Sequence, residues 1–159
     1  MIVLHTSVLI DCLTGLKRSE PAVRGALADG ERILLPALVL YEWLRVPRLS
    51  EELAAQEALF PARSAIPFDI EQARVSAELY RAVSRARTRE VDLAIAACAL
   101  VRGARLWTLN GADFQDVRGF GYMGFGKHSP KEPCTAAVHQ PFTGRNRVNP
   151  EISCTMLGT

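Results

Sequence analysis

Acidic side chains stand in apolar surroundings at three places in this chain. Glu42 lies within the segment LVLYEWLRV, Asp92 opens the segment DLAIAACAL, and Asp113 follows the segment LWTLN. A carboxylate in such surroundings is costly unless it is paired or bound to a metal. Hard oxygen ligands favour Mg²⁺ or Mn²⁺, and a cation held in this way can orient water and stabilise charge on a phosphodiester.

Each acid also has a simpler explanation when it is considered alone. Glu42 can pair with Arg45 one helical turn along, Asp92 can interact with the start of its own helix, and Asp113 suits a turn. Taken together, two acids on helices and one after a strand can converge at one edge of a sheet. A carboxylate cluster without matching buried bases repels itself, so convergence would imply a divalent cation.

The elements that position these acids alternate between short apolar strands and helices. The strands are unbroken by polar residues, which is typical of strands covered on both faces. We therefore predict an α/β fold with a mainly parallel central sheet flanked by helices. The predicted strands are 1–4, 32–35, 105–108 and a short candidate at 65–68. The predicted helices are 8–14 (capped by Ser7), 20–29, a segment begun by Pro36, 51–60 (capped by Ser50), 69–87 and 91–101.

The longest of these helices, 69–87, has an amphipathic pattern. One face is predicted to carry Ile70, Ala73, Ala77, Tyr80 and Ser84. The loop NGADF follows the last clear strand and brings Asn110 and Asp113 to its end.

Length and composition fit one domain followed by an extension. The chain has 159 residues, of which 48% are hydrophobic and 23% charged. Glycine and proline number 9 in the last 39 residues against 11 in the preceding 120. We predict a domain at 1–120 and an irregular extension at 121–159, with a composition compatible with disorder.

Charge and cysteine content narrow the possible surroundings of the protein. The first 120 residues are electrically balanced, and the extension supplies the whole net charge of +2. Overall charge therefore does not indicate nucleic-acid binding. We expect no membrane segment and no signal peptide. Cys12 and Cys98 lie in apolar helical patterns, which favours small core residues in a reducing, cytoplasmic compartment.

Four motifs, MIVLHTSVLID, YEW, EVDLAIAACAL and LWTLNGADF, resemble in order and spacing those of the PIN-domain family. The resemblance spans about residues 1–120 and is strongest to VapC-like toxins of bacterial toxin–antitoxin pairs. It implies a three-layer α/β sandwich and an endoribonuclease that uses Mg²⁺ or Mn²⁺ to activate water against RNA. It also implies a small antitoxin protein as partner and pairing as a homodimer.

The resemblance assigns roles to six residues by position. Glu42 matches the second acid of the family, and Asp92 matches the third. Asn110 and Asp113 match the polar pair after the last strand, with Asp113 as the metal-side acid. The small polar residues beside the first acid are matched by Thr6 and Ser7.

His5 departs from this pattern, because the family has an aspartate there as its first metal ligand. Neutral imidazole lacks the carboxylate charge, and Mg²⁺ prefers oxygen, whereas Mn²⁺ and Zn²⁺ accept nitrogen more readily. Three hypotheses stay open: a substituted ligand, a weakened or silenced nuclease, and a structural histidine beside acids that still bind metal. Asp11 lies too far along its helix to replace the missing acid and is predicted to be solvated.

A catalytically silent PIN scaffold that binds RNA or an antitoxin-like protein is the alternative function. Basic side chains near the acids predict phosphate contacts under either hypothesis, with a solvated helix end as the simpler explanation. These basic residues are Arg81, Arg85, Arg87 and Arg89, with Arg45 and Arg48 from the segment after Glu42. Trp43 and Trp107 are expected to pack in the core rather than to stack on bases.

Overall fold

A parallel sheet of four short strands forms the centre of the protein. The computed structural model describes residues 1–119 and the strand at 122–123. The strands are β1 (Ile2–Leu4), β2 (Ile33–Leu34), β3 (Arg105–Trp107) and β4 (Tyr122–Met123). Their order is β2-β1-β3-β4, and each neighbouring pair is parallel. The predicted α/β class is confirmed.

Helices connect the strands. The α-helices of the described part are α1 (Thr6–Leu13), α2 (Glu20–Ala28), α3 (Ala37–Leu44), α4 (Ser50–Leu59), α5 (Ile70–Ala82) and α6 (Glu90–Val101). Single 3₁₀ turns lie at Ala62–Ser64, Ala86–Thr88 and Gly111–Phe114.

Burial along β1 shows that both faces of the sheet are covered. Ile2, Val3 and Leu4 are all buried, although successive side chains of a strand point to opposite faces. Helix α6 packs against both β1 and β3, and α1 packs against α2 and α3. The sheet therefore lies between helical layers, as predicted. Trp43 and Trp107 belong to the core, which confirms their predicted role.

The carboxyl ends of β1 and β3 lie side by side. Leu4 pairs with Trp107, and the His5 amide donates a 2.9 Å hydrogen bond to the Trp107 carbonyl. Polar side chains follow both strands, so His5 and Thr108 are brought to the same edge of the sheet. In parallel sheets this edge is where functional side chains collect.

The start of α1 differs from the prediction. His5, rather than Ser7, is the N-cap residue, and the helix begins at Thr6. The His5 Nδ1 atom accepts a 3.3 Å hydrogen bond from the Ser7 amide. An imidazole thus takes the capping role that short oxygen-bearing side chains usually have.

Helix α5 is shorter than predicted and is packed through a different face. It ends at Ala82, and Arg85 then adopts a left-handed conformation with φ of 53°. The buried residues are Gln72 and Leu79, whereas Ile70 is 82% exposed. The other members of the predicted face are also mostly accessible; they are Ala73, Ala77, Tyr80 and Ser84. The prediction of this face was wrong.

Three smaller predictions also need correction. The candidate strand at 65–68 is only an isolated bridge between Pro36 and Ile66. Leu49 rather than Ser50 precedes the first turn of α4, where the Glu52 carboxylate accepts from the Leu49 amide. Pro36 is the N-cap of α3 rather than its first residue, because the helix begins at Ala37.

The predicted domain boundary at residue 120 falls just before β4, which is paired with β3. The rest of the predicted extension, 124–159, lies outside the described residues. Within the described part, no helix is long and apolar enough to cross a bilayer. Cys12 and Cys98 are buried free thiols, as predicted, and burial raises the pKa of both to about 11.

Candidate functional site

Two clefts open at the edge of the sheet where β1 and β3 end, and Asp92 lines both. The smaller has a volume of about 270 Å³, and the larger has a volume of about 650 Å³. Charged and polar residues of the smaller cleft include His5, Glu42, Arg45, Arg48 and Asn110. Those of the larger cleft include Arg85, Arg89, Asp113 and Asp116.

His5 and Asp92 form the central contact of the smaller cleft. The His5 Nε2 atom lies 2.9 Å from Asp92 Oδ1. Because Nδ1 accepts from the Ser7 amide, the proton of neutral His5 is assigned to Nε2, which donates it to Asp92. The His5 side chain is 4% exposed and that of Asp92 is 29% exposed. The imidazole therefore occupies one oxygen, Oδ1, of the Asp92 carboxylate.

Hydroxyl groups and one aromatic ring hold the imidazole in place. Ser7 Oγ lies 3.0 Å from His5 Nδ1, and the buried Thr108 Oγ1 lies 3.4 Å from the same atom. Ser7 Oγ also accepts from the Leu109 amide at 3.0 Å, which ties α1 to the chain after β3. The Phe114 ring meets the imidazole edge-to-face at 5.4 Å. His5 is thus fixed from several sides.

Glu42 projects from α3 into the same cleft. Its Oε2 atom accepts a 2.5 Å hydrogen bond from the Thr6 hydroxyl. Its Oε1 atom lies 3.7 Å from the Arg45 guanidinium, one turn along the helix. The simpler explanation for Glu42, pairing with Arg45, is therefore present in the structure.

The predicted convergence of acids is only partial. Asp113 is exposed and lines the larger cleft, whereas Glu42 lines the smaller one, so Asp92 lies between them. Among the residues that the structure describes, no three His, Cys, Asp or Glu side chains form a group able to hold a metal ion. His5 presents its Nε2–H to Asp92, whereas a metal ligand would have to present a lone pair at that position. The residues as they stand do not fit Mg²⁺ or Mn²⁺.

The Arg89–Asp116 pair dominates the larger cleft. Both carboxylate oxygens of Asp116 accept from Arg89, at 2.9 and 2.8 Å. The guanidinium also donates to the carbonyl of Ser84, at 2.5 Å, and to that of Asp113. All four terminal N–H groups of Arg89 therefore have protein partners. The clamp joins the start of α6 to the segment that follows β3.

This clamp shifts the pKa of both partners. The hydrogen bond from Arg89 is the main cause that lowers the pKa of Asp116 to about 2. The bond to Asp116 in turn raises the pKa of the Arg89 guanidinium. The side chain of Arg89 is only 12% exposed. Arg89 was predicted to contact RNA, but all four of its terminal N–H donors are already used by the protein.

The other predicted basic residues lie in different settings. Arg85 is exposed and lines the larger cleft. Arg45 lines the smaller cleft and pairs with Glu42. Arg87 is exposed and lines neither cleft. The predicted basic residues thus do not form one surface, because Arg85 and Arg89 line the larger cleft and Arg45 lines the smaller one.

Asp11 is not a solvated helix position, contrary to the prediction. Its Oδ2 atom accepts from both the amide and the hydroxyl of Ser19, at 2.8 and 2.6 Å. Its Oδ1 atom accepts from Arg18. The bond to the Ser19 hydroxyl is the main cause that lowers the pKa of Asp11. Asp11 fixes the connection to α2, and it does not line the site, as expected.

Thr108 and Asp116 are contributors that the motifs did not assign. Thr108 is fully buried, contacts His5, and accepts from the Asn110 amide at 3.0 Å. A signal for Thr108 existed, because a polar residue ends an otherwise apolar strand. Asp116 had no such signal, since its partner Arg89 is 27 residues away.

Fold and site together define a class: a parallel α/β sandwich with a carboxylate site where two adjacent strands end. The PIN domain profile matches residues 2–119. The chain belongs to the PIN-domain family, whose members are generally nucleases. No curated protein sequence matches it significantly.

Solved structures share the fold at low sequence identity. VapBC2 from Rickettsia felis, bound to a DNA fragment from its promoter, is 18% identical with a TM-score of 0.63. That match covers 79% of this chain and 100% of the other. DNA-bound VapBC from Salmonella typhimurium is 21% identical with a TM-score of 0.60, covering 77% and 96%. FitAcB from Neisseria gonorrhoeae is 21% identical with a TM-score of 0.57, covering 78% and 97%.

Proposed function

We propose that this protein is a metal-dependent endoribonuclease of the toxin type whose metal site is silenced by His5. The hydrogen bond from His5 Nε2 to Asp92 Oδ1, at 2.9 Å, is the observation that carries this proposal. It places a proton donor on the carboxylate that matches the third acid of the family. Of the three hypotheses for His5, the weakened or silenced nuclease explains this contact best.

The surroundings of His5 hold its imidazole against Asp92. The ring caps α1 and contacts Ser7, Thr108 and Phe114, so it cannot leave Asp92 without losing several contacts. Restoring a carboxylate at position 5 removes the proton donor and adds a negative charge beside Asp92. A shorter side chain there also opens room for a cation.

The other predicted residues keep their assignments within this proposal. Glu42, Asp92 and Asp113 are the carboxylates that would hold Mg²⁺ or Mn²⁺ once position 5 is acidic. Asn110 and the hydroxyls of Thr6 and Ser7 would orient water or a phosphate oxygen. By family analogy, hydrolysis would leave a 3′-hydroxyl and a 5′-phosphate.

Partners enter the proposal through the structural neighbours. VapBC from Rickettsia felis and from Salmonella typhimurium have the same fold as this chain. We infer a small antitoxin protein as the partner of this chain, with a homodimer as its own assembly. Two buried free cysteines agree with a reducing cytoplasm as its location.

A silent scaffold that binds RNA or an antitoxin-like protein is the second candidate. The observation in its favour is that His5 is integrated into the local hydrogen bonds as a helix cap. Under this hypothesis the imidazole is part of a finished structure, and a carboxylate at position 5 would restore nothing.

Cleavage of a structured RNA in Mg²⁺ and in Mn²⁺ separates the two candidates. The protein is compared with His5→Asp and with the matched control His5→Asn, which removes the imidazole without adding charge. We expect His5→Asp to cleave at least about 100-fold faster than the other two forms. Asp92→Asn added to His5→Asp should remove that gain.

Each result of this experiment has a defined meaning. Inactivity of all forms, including His5→Asp, would reject the silenced nuclease in favour of the scaffold. Rapid cleavage by the unaltered protein that Asp92→Asn abolishes would show that His5 is a working substitute. Equal gains in His5→Asp and His5→Asn would point to steric blockage rather than to a missing carboxylate.

A further inference from the structure

We propose that Arg48 is the phosphate-binding residue of the smaller cleft, prepared by Trp43 to receive an RNA backbone phosphate. The inference rests on the proposed RNA substrate but not on the cleavage step. The juxtaposition behind it is an arginine that is held at one end and open at the other, beside Asp92 and Glu42.

Trp43 fixes the position and plane of the Arg48 guanidinium. The central carbon of the guanidinium lies 4.0 Å from the centroid of the buried Trp43 ring. Its Nε–H donates a 3.0 Å hydrogen bond to the Trp43 carbonyl. Both contacts come from one residue, so the guanidinium is oriented before any ligand arrives. Such preorganisation reduces the entropy lost on binding.

The free end of Arg48 distinguishes it from its neighbours. Within the described residues, no carboxylate or other acceptor contacts its two terminal nitrogens, which leaves four N–H donors for a ligand. Arg45 is drawn to Glu42 at 3.7 Å, and Arg89 has all its terminal donors occupied. Of the two arginines that line the smaller cleft, Arg48 is thus the better able to offer a bidentate pair.

The arginines of the smaller cleft balance the charge of its two carboxylates, so a phosphate is not repelled overall. Two carboxylates and two guanidinium groups line it, so their formal charges cancel while His5 is neutral. A planar guanidinium with parallel donors matches the oxygens of a phosphodiester. A single-stranded RNA backbone that runs past Asp92 would therefore meet Arg48 as its main cationic contact.

Equilibrium binding of a fluorescein-labelled, 10-nucleotide single-stranded RNA to the full chain tests this inference without any cleavage. Fluorescence anisotropy is measured at several salt concentrations for the protein, Arg48→Ala, Arg48→Lys and the control Arg63→Ala. Arg63 is an exposed arginine outside both clefts, on the 3₁₀ turn Ala62–Ser64. Circular dichroism confirms that each variant is folded, and Arg48→Gln replaces Arg48→Ala if the alanine variant is not.

We expect Arg48→Ala to weaken RNA binding about 10-fold and to reduce the salt slope by about 0.7, the value for one contact to a single strand. Arg48→Lys should recover only part of the affinity, because ammonium keeps the charge and loses the planar fork. Arg63→Ala should bind within about twofold of the protein.

Failure of this inference differs from failure of the proposed function. If Arg48→Ala binds RNA as well as the protein does while His5→Asp cleaves RNA, the nuclease stands and the Arg48 assignment is overturned. Absence of RNA binding by the folded protein at low salt also overturns it. Equal weakening by Arg48→Ala and Arg63→Ala would mean non-specific attraction, which likewise overturns the assignment.

Discussion

The two clefts beside Asp92 each contain an arginine near an acidic group, yet they use it in opposite ways. In the larger cleft, Arg89 has its terminal donors occupied by Asp116 and by two backbone carbonyls. In the smaller cleft, Arg48 packs on the Trp43 ring, and within the described part of the chain it donates only its Nε–H, to the Trp43 carbonyl. The first arginine joins two segments of the chain, and the second is oriented with donors to spare.

This difference shows that proximity to a carboxylate does not make an arginine a substrate ligand. The deciding quantity is the number of its donors that the protein already uses. The same comparison applies to Asp92 itself, since His5 occupies one of its oxygens as a proton donor. A site can thus contain appropriate residue types and still be closed to the ligand they suggest.

The largest stability effect should come from removing Arg89, whose four terminal donors are all occupied. Arg89→Ala removes both guanidinium hydrogen bonds to Asp116, which keeps only the Ser84 hydroxyl, and it leaves two carbonyls without this donor. We therefore expect a loss of about 2–3 kcal/mol in the free energy of unfolding. Arg48→Ala loses mainly its contact with Trp43 and should cost about 0.5–1 kcal/mol. Urea unfolding of both variants, with Arg63→Ala as the control, measures the difference.

Equal losses for Arg89→Ala and Arg48→Ala would contradict the division of roles. If Arg89→Ala lowered the free energy of unfolding less than Arg63→Ala does, the clamp would contribute nothing measurable to stability. Either result would remove the contrast between the two clefts.

A smaller effect should appear in the pH dependence of stability. The folded-state pKa of Asp116 is lowered to about 2 from an ordinary value of 3.8, so its paired form stabilises the fold above about pH 4. That contribution is lost as pH falls from about 4 through 2. Asp116→Asn lacks the charge, so the stability gap between the protein and this variant should narrow over that range.

Unfolding by urea at several pH values between 2 and 6 checks this dependence. Because Asp116 is 37% exposed, solvent screening should keep the gap at roughly 1 kcal/mol or less. A gap that stays constant down to pH 2 would mean that Asp116 is not specially paired. The matched variant Asp113→Asn, whose exposed carboxylate is not held by Arg89, should show a smaller gap.

Much of the fold could be predicted because local patterns of apolar residues indicate strands and helices. The run before His5 and the helix that contains Asp92 were both located from such patterns. The packed face of α5 was not, since its buried side includes Gln72 while Ile70 is exposed. No glycine marks its end either, since the helix stops at Ala82 and the cap residue Val83 is extended.

Several residues that line the two clefts could be predicted from the sequence, but their pairing could not. Motif order identified Glu42, Asp92 and Asp113, yet only three-dimensional packing decides that they are divided between two clefts. The capture of Asp92 by His5 joins residues 87 positions apart. Long-range pairs of this kind depend on register and helix rotation, which a single sequence does not specify.

Titration of Mn²⁺ into the protein and into His5→Asp, followed by calorimetry at neutral pH, tests the central claim most directly. Mn²⁺ accepts both nitrogen and oxygen ligands, so it does not exclude His5 by ligand type. We predict one saturable site in His5→Asp and no saturable binding in the unaltered protein or in His5→Asn. Binding of Mn²⁺ by the unaltered protein as tightly as by His5→Asp would contradict the claim that His5 silences the site.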